Sequence, residues 1–200
     1  MTSRLLAKFR DPRHFRPVTG FALAFAALLA VYALGPGAWH ALRYERAPIA
    51  AGEWWRLVTA HLVHEEGRHL ALNLAGLAAI GALYAADARL RDWALVALAS
   101  ALGVGAGLYL GEPGLEWYVG ASGLLHGLWA AGGVAAWKRW PTESLVTLAL
   151  LAAKLAFERW HGPLSTDLGA GLPVITAAHR YGALSGLAAA LALRLWRPPL

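Results

Sequence analysis

Six apolar runs, each cut off sharply by charged or turn-forming residues, leave this chain few folds to choose from. They extend from about Val18 to Leu34, His69 to Ala86, Trp93 to Leu110, Ser122 to Trp137, Leu145 to Phe157 and Val174 to Trp196. A helix crosses the hydrocarbon of a bilayer with about 20 residues, within a range of roughly 17 to 25. Lipid offers no partner to an open backbone N–H or C=O, so such runs are helical. The pattern predicts an all-α membrane protein, a six-transmembrane-helix bundle. The fourth and fifth runs are short for a crossing, which predicts that protein walls them in and that water reaches one end. Composition agrees with lipid as the solvent. Of 200 residues, 58% are hydrophobic and 15% charged, against roughly 45–50% and about 25% in soluble domains.

The net charge of +6 is mostly arginine and sits in the gaps between runs. That is a topology signal rather than a nucleic-acid one. Arg4, Lys8, Arg10, Arg13, Arg16, Arg89, Arg91, Lys138, Arg139, Arg194 and Arg197 share one side of a six-span chain. Arg43, Arg46, Arg56, Arg68 and Arg159 are spread over far more residues on the other, and the gap from Gly111 to Ala121 has no Lys or Arg. The positive-inside rule then puts both termini in the cytoplasm. Trp54, Trp55, Trp117, Trp137, Trp140, Trp160 and Trp196 lie near the run ends, as in an interfacial aromatic belt. Residues 1–17 form a basic cytoplasmic segment, and 18–197 a single six-helix membrane domain. The first run is expected to be a span and not a cleaved leader, because its basic lead is long and it ends in Ala33-Leu34-Gly35-Pro36-Gly37. The gap from Gly35 to Arg68 is the main irregular segment. With no cysteine, disulfides, thiolate catalysis and Cys-type zinc sites are excluded.

Polar residues inside such runs are costly and point to function. Ser122 stands at the outer end of the fourth run and His179 a few residues into the sixth, so both lie at similar shallow depth. A serine hydroxyl is a poor nucleophile until a base takes its proton, and an imidazole is the natural base. Gly123 and Gly127 are four apart on one run, and Gly182 and Gly186 four apart on the other. Small-xxx-small faces let helix backbones approach closely in lipid. The bland reading is that Ser122 merely packs there; shared depth, shared small faces and a matched histidine count against it. His69 and Asn73, one helical turn apart, point the same way. Both can donate hydrogen bonds to an oxyanion together with the Ser122 amide; the competing reading has Asn73 bonding a neighbouring helix and His69 at the wet interface.

Two other patterns carry chemistry of their own. His64-Glu65-Glu66-Gly67-Arg68-His69 is one residue too long for H-E-x-x-H, its histidines about 140° out of alignment around a helix. His61, His64 and His69 remain a less favoured loop cluster for zinc, lacking a carboxylate at a fixed offset. Lys154 and Glu158 are four apart; they pair within the membrane, or Glu158 reaches the outer interface. Asp167, a conceivable third acid, is read as solvated.

Together these residues resemble the rhomboid family of intramembrane serine proteases. Gly120-Ala121-Ser122-Gly123 is similar to its G-x-S-G, and His179 to Gly186 to its H-x-x-G-x-x-x-G. His64, His69 and Asn73 match H-x-x-x-x-H-x-x-x-N, and Trp55-Arg56 resembles the W-R pair of the first outer loop. The resemblance implies a Ser122–His179 dyad without a third acid, and an oxyanion hole of His69, Asn73 and the Ser122 amide. It implies a loop around Trp55-Arg56 partly sunk in the membrane, with His64, His126, Gly120, Gly123, Gly182 and Gly186 in supporting roles. The family's tyrosine one turn after the serine is His126 here, and its late second-span glutamate is Ala85, with Asp87 nearby. His126 stacks beneath His179 or hydrogen-bonds near it.

The His126 position, the short chain, Lys154 with Glu158, and Pro173-Val174 ahead of His179 resemble the rhombosortase branch. That implies processing of exported bacterial proteins with a small-residue, Gly-Gly-type C-terminal tail, at the outer face of the inner membrane. Membrane lipid and transmembrane substrates are the expected partners, with no nucleic acid, cofactor or metal; oligomeric state is left open. The alternatives are a non-catalytic rhomboid-like binder of client helices and a small transporter or channel with the intramembrane histidines as a proton path, the latter disfavoured by spans without a mid-depth acid.

Overall fold

The computed structural model describes residues 12–164 and 173–195. Each apolar run contains a helix of between 15 and 22 residues. The first, α1, covers Pro12–Ala33 and so begins inside the basic lead. It bends by 116° into α2, Pro36–Leu42. Gly35 takes a φ of 76° at the bend, a left-handed value open to glycine, and Pro36 opens the next helix.

The stretch from Gly35 to Arg68 is more ordered than its sequence suggests. Strand β1, Tyr44–Glu45, is followed by two short helices, α3 at Arg46–Ala50 and α4 at Arg56–Thr59. Its arginines explain the order. The Arg46 guanidinium donates to the carbonyls of Leu108, Tyr109, Glu112 and Leu115 at 2.8–3.0 Å. Those carbonyls lie in and just past the last turn of a helix, where a cation is favoured. Arg56 is buried and donates to the carbonyls of His40 and Arg43 at 2.7 and 2.8 Å. Trp54 and Trp55 stay exposed beside it.

Helix α5, Gly67–Tyr84, and helix α6, Leu90–Gly111, come next in the chain. Counting the turn that follows α5, these two are long and apolar enough to cross a membrane, and the bent α1–α2 pair makes a third if taken as one span. Strand β2, Trp117–Tyr118, pairs antiparallel with β1, Tyr44 opposite Tyr118. Helix α7, Ser122–Ala136, is short and almost wholly buried, packed against α5, α6 and both later helices. Helix α8, Pro141–His161, is the exception to the expected shortness. Its 21 residues extend past the apolar run at both ends, with Pro141 opening the first turn and Arg159 and His161 closing the last. Helix α9, Thr176–Leu195, completes the bundle; Trp196 lies outside the described residues.

Helices α7 and α9 touch backbone to backbone. A Cβ at Gly123 would stand 2.8 Å from the Ala178 carbonyl oxygen. One at Gly182 would run into the Gly123 carbonyl, and one at Gly186 into the Gly127 backbone. Both small-residue faces are therefore spent on a single contact seam.

Candidate active site

The turn before α7 sets the serine. Gly120 has a φ of 113°, which disfavours any side chain. A Cβ there would also stand 2.5 Å from His69 Cε1 and 2.6 Å from its Nε2, so the glycine makes room for that ring. The Gly120 amide donates to Ala60 O at 3.1 Å, and its carbonyl accepts from the Tyr118 hydroxyl at 2.8 Å. Burial holds the Tyr118 phenol above its usual range, which keeps it a donor. The Ala121 amide donates to His64 Nε2 at 3.4 Å. His64 is fully buried, and burial, reinforced by the neighbouring His69, pulls it down to about 3. The neutral ring therefore has a bare nitrogen with which to accept.

Ser122 is the first residue of α7 and His179 lies in the first turn of α9. Held by the glycine seam, Ser122 Oγ and His179 Nε2 are 3.0 Å apart. The other ring nitrogen, Nδ1, is 2.8 Å from Oε2 of Glu158 on α8. Oε1 of the same carboxylate is 2.5 Å from Lys154 Nζ. Glu158 is buried at 4% exposure, so it does not reach the interface. The resemblance implied a dyad with no acid; in the structure the Glu158 carboxylate contacts the imidazole. Asp167 lies outside the described residues.

The His126 ring stacks on His179 with centroids 4.1 Å apart and planes 13° from parallel. Its Nδ1 lies 2.7 Å from the Ser122 carbonyl oxygen, which can only accept, so Nδ1 carries the proton. The two readings of His126 are thus met by one ring that does both. His69 and Asn73 are buried on one face of α5. One N–H of the Asn73 amide donates to His69 O at 3.1 Å, leaving its second.

Two openings meet at the serine. A groove of about 440 Å³ runs between α5 and α8 and is lined by Leu72, Asn73, Gly76, Leu83, Trp129 and His179 among others, its wall mostly apolar. A smaller cavity of about 260 Å³ lies under residues 114–119 and 173–175. Ser122 and His69 border both.

Among the described residues, His126, Glu158 and His179 hold ligand atoms within 4.8 Å of one another. A metal bonds an imidazole in the ring plane. Two parallel rings stacked 4.1 Å apart direct their lone pairs side by side, not onto one ion. The loop cluster fares no better: His61 turns its nitrogens to the Gly120 and Ala101 carbonyls at 3.3 and 3.1 Å, while His64 meets His69 edge to face. What the arrangement offers instead is an alkoxide-forming hydroxyl, a base, and donors beside an apolar channel.

Sequence reasoning missed the contact between Glu158 and His179. The signal was the i, i+4 pair of charges at the end of an apolar run, where an unneeded carboxylate is costly. No curated protein matches the chain. A family profile described as the rhomboid domain matches residues 51–196.

Proposed function

Because the chain belongs to the rhomboid family, which consists in general of intramembrane serine proteases with some inactive members, we propose that it is an active one, cutting peptide bonds at the outer boundary of the membrane. The single observation that carries this reading is the 3.0 Å approach of Ser122 Oγ to His179 Nε2 at the mouth of an apolar groove. In the proposed reaction, Oγ attacks the scissile carbonyl carbon as its proton passes to His179 Nε2. The oxyanion receives hydrogen bonds from His69, the spare Asn73 N–H and the Ser122 amide. The tetrahedral intermediate collapses, the C–N bond breaks, and His179 gives its proton to the leaving amine. Water then adds to the acyl carbon, losing a proton to His179, and the ester bond to Oγ breaks as that proton returns.

We further propose the rhombosortase branch. His126 stacked on His179, and the Lys154–Glu158 pair, support it. The substrate would be an exported bacterial protein whose C-terminal tail carries a small-residue, Gly-Gly-type signal ahead of an apolar helix. Small residues open a helix readily, and only an opened helix exposes a carbonyl to attack. The reading includes six spans in the inner membrane, with both termini cytoplasmic. Arginine and lysine placement supports that orientation.

The test is co-expression with a Gly-Gly-tailed reporter, wild type beside Ser122→Ala, with the new end mapped by mass spectrometry. Cleavage by wild type alone is expected; equal cleavage by Ser122→Ala overturns the mechanism. A second reading, a non-catalytic holder of client helices, draws on the same apolar groove. A fluorophosphonate probe that fails to label Ser122 in the intact protein would favour it.

A further inference from the structure

The acid and the cation on α8 have no part in the reaction as written above, yet both are aimed at its base. Glu158 Oε2 meets His179 Nδ1 at 2.8 Å, and Oε1 meets Lys154 Nζ at 2.5 Å. A carboxylate oxygen accepts, so the ring proton belongs on Nδ1. That leaves the Nε2 lone pair for the Ser122 hydroxyl, 3.0 Å away. Three helices, α7, α8 and α9, thus contribute to one line of polar atoms in an otherwise apolar bundle. The ion pair matches the carboxylate's charge locally, which a buried acid requires. On the opposite ring face, His126 stacks flat and clamps the plane.

On the proteolytic reading above, we propose that Glu158 is a positioning residue that fixes the tautomer and plane of His179 and that Lys154 holds Glu158 in place, so that the site works as a serine–histidine–glutamate relay braced by a lysine. When His179 takes the Ser122 proton onto Nε2, its Nδ1–H stays with Glu158, and the carboxylate balances the new imidazolium. The proton does not move on to Glu158. No other carboxylate contacts His179 among the described residues; Lys154, His126, His69 and Arg180 are the remaining titratable or charged groups near it.

Glu158→Gln tests the claim. Its amide can offer an N–H where the carboxylate accepted, favouring the wrong tautomer. Expected is a loss in kcat on the order of 10²–10⁴, the scale of such a swap in other serine proteases, with KM little changed. Glu158→Asp, which keeps the charge, should recover part of the loss. Lys154→Met should cost roughly ten- to hundredfold, the scale of one charge-assisted hydrogen bond, and little more when added to Glu158→Gln. A readout independent of turnover is the proton spectrum of the detergent-solubilised protein. A low-field imidazole proton should be present in wild type and absent from Glu158→Gln. The proposal is overturned by wild-type kcat in Glu158→Gln, by additive losses in the double variant, or by the lack of that resonance in wild type. If wild type cleaves nothing while the resonance is present, the proteolytic reading fails and the Glu158–His179 contact stands.

Discussion

The two sides of Ser122 are built on opposite terms. On one side, α7 and α9 meet through glycines, backbone against backbone, with Val104 and Ser100 of α6 packed alongside. On the other, α5 and α8 stand apart across a groove lined by leucines, glycine and tryptophan. A glycine seam admits no adjustment, because the atoms in contact are backbone. A groove of apolar side chains can rearrange by rotamer. The hydroxyl and the imidazole come from the rigid side; Glu158 comes from one wall of the open side, and His69 and Asn73 from the other. Precision is placed where two side chains stay within hydrogen-bond distance, and plasticity where the groove opens.

That contrast can be broken most severely at the seam. Gly182→Leu would drive a side chain into the Gly123 carbonyl. We expect a stability loss of about 3 kcal/mol or more, the upper range of overpacking, and near-complete loss of cleavage as His179 leaves Ser122. Thermal melts in detergent alongside reporter cleavage would show it; a stable, active Gly182→Leu would mean the seam is softer than described. On the groove wall, Asn73→Ala removes one proposed oxyanion donor and should lower kcat by about 10²–10³ with the fold intact. Farther along the groove, Leu83→Trp should leave both Tm and kcat close to wild type. It should raise KM by roughly fivefold, about 1 kcal/mol of lost binding, because Leu83 is largely exposed and lines the groove. Stability should also depend on pH. His64 is neutral in the fold, held to about 3 against an ordinary 6.5. Between those values the unfolded chain binds the extra proton, so stability is full above pH 6.5 and declines as pH falls toward 3. His64→Asn should flatten that decline in pH-dependent melts.

Much of the site was legible because its elements are local. Ser122 between glycines, the four-residue spacing of Gly182 and Gly186, and the turn from His69 to Asn73 are patterns within single helices. Helical periodicity translates them into faces without any knowledge of neighbours. The Trp55-Arg56 pair was legible as a motif, but the reason Arg56 is buried, its hold on the His40 and Arg43 carbonyls, was not. The order in the Gly35 to Arg68 stretch was hidden for the same cause: Arg46 caps a helix more than sixty residues away in the chain.

The sequence by itself determined the solvent, the helices and the pairing of two small faces, since hydropathy and glycine spacing act along the chain. Only the tertiary structure decided that Glu158 turns inward to His179 instead of outward to water, and that His126 lies flat beneath that ring. Both outcomes depend on the rotation and depth of α7, α8 and α9 relative to one another. Those are set by side-chain packing between distant segments, and no local propensity encodes them.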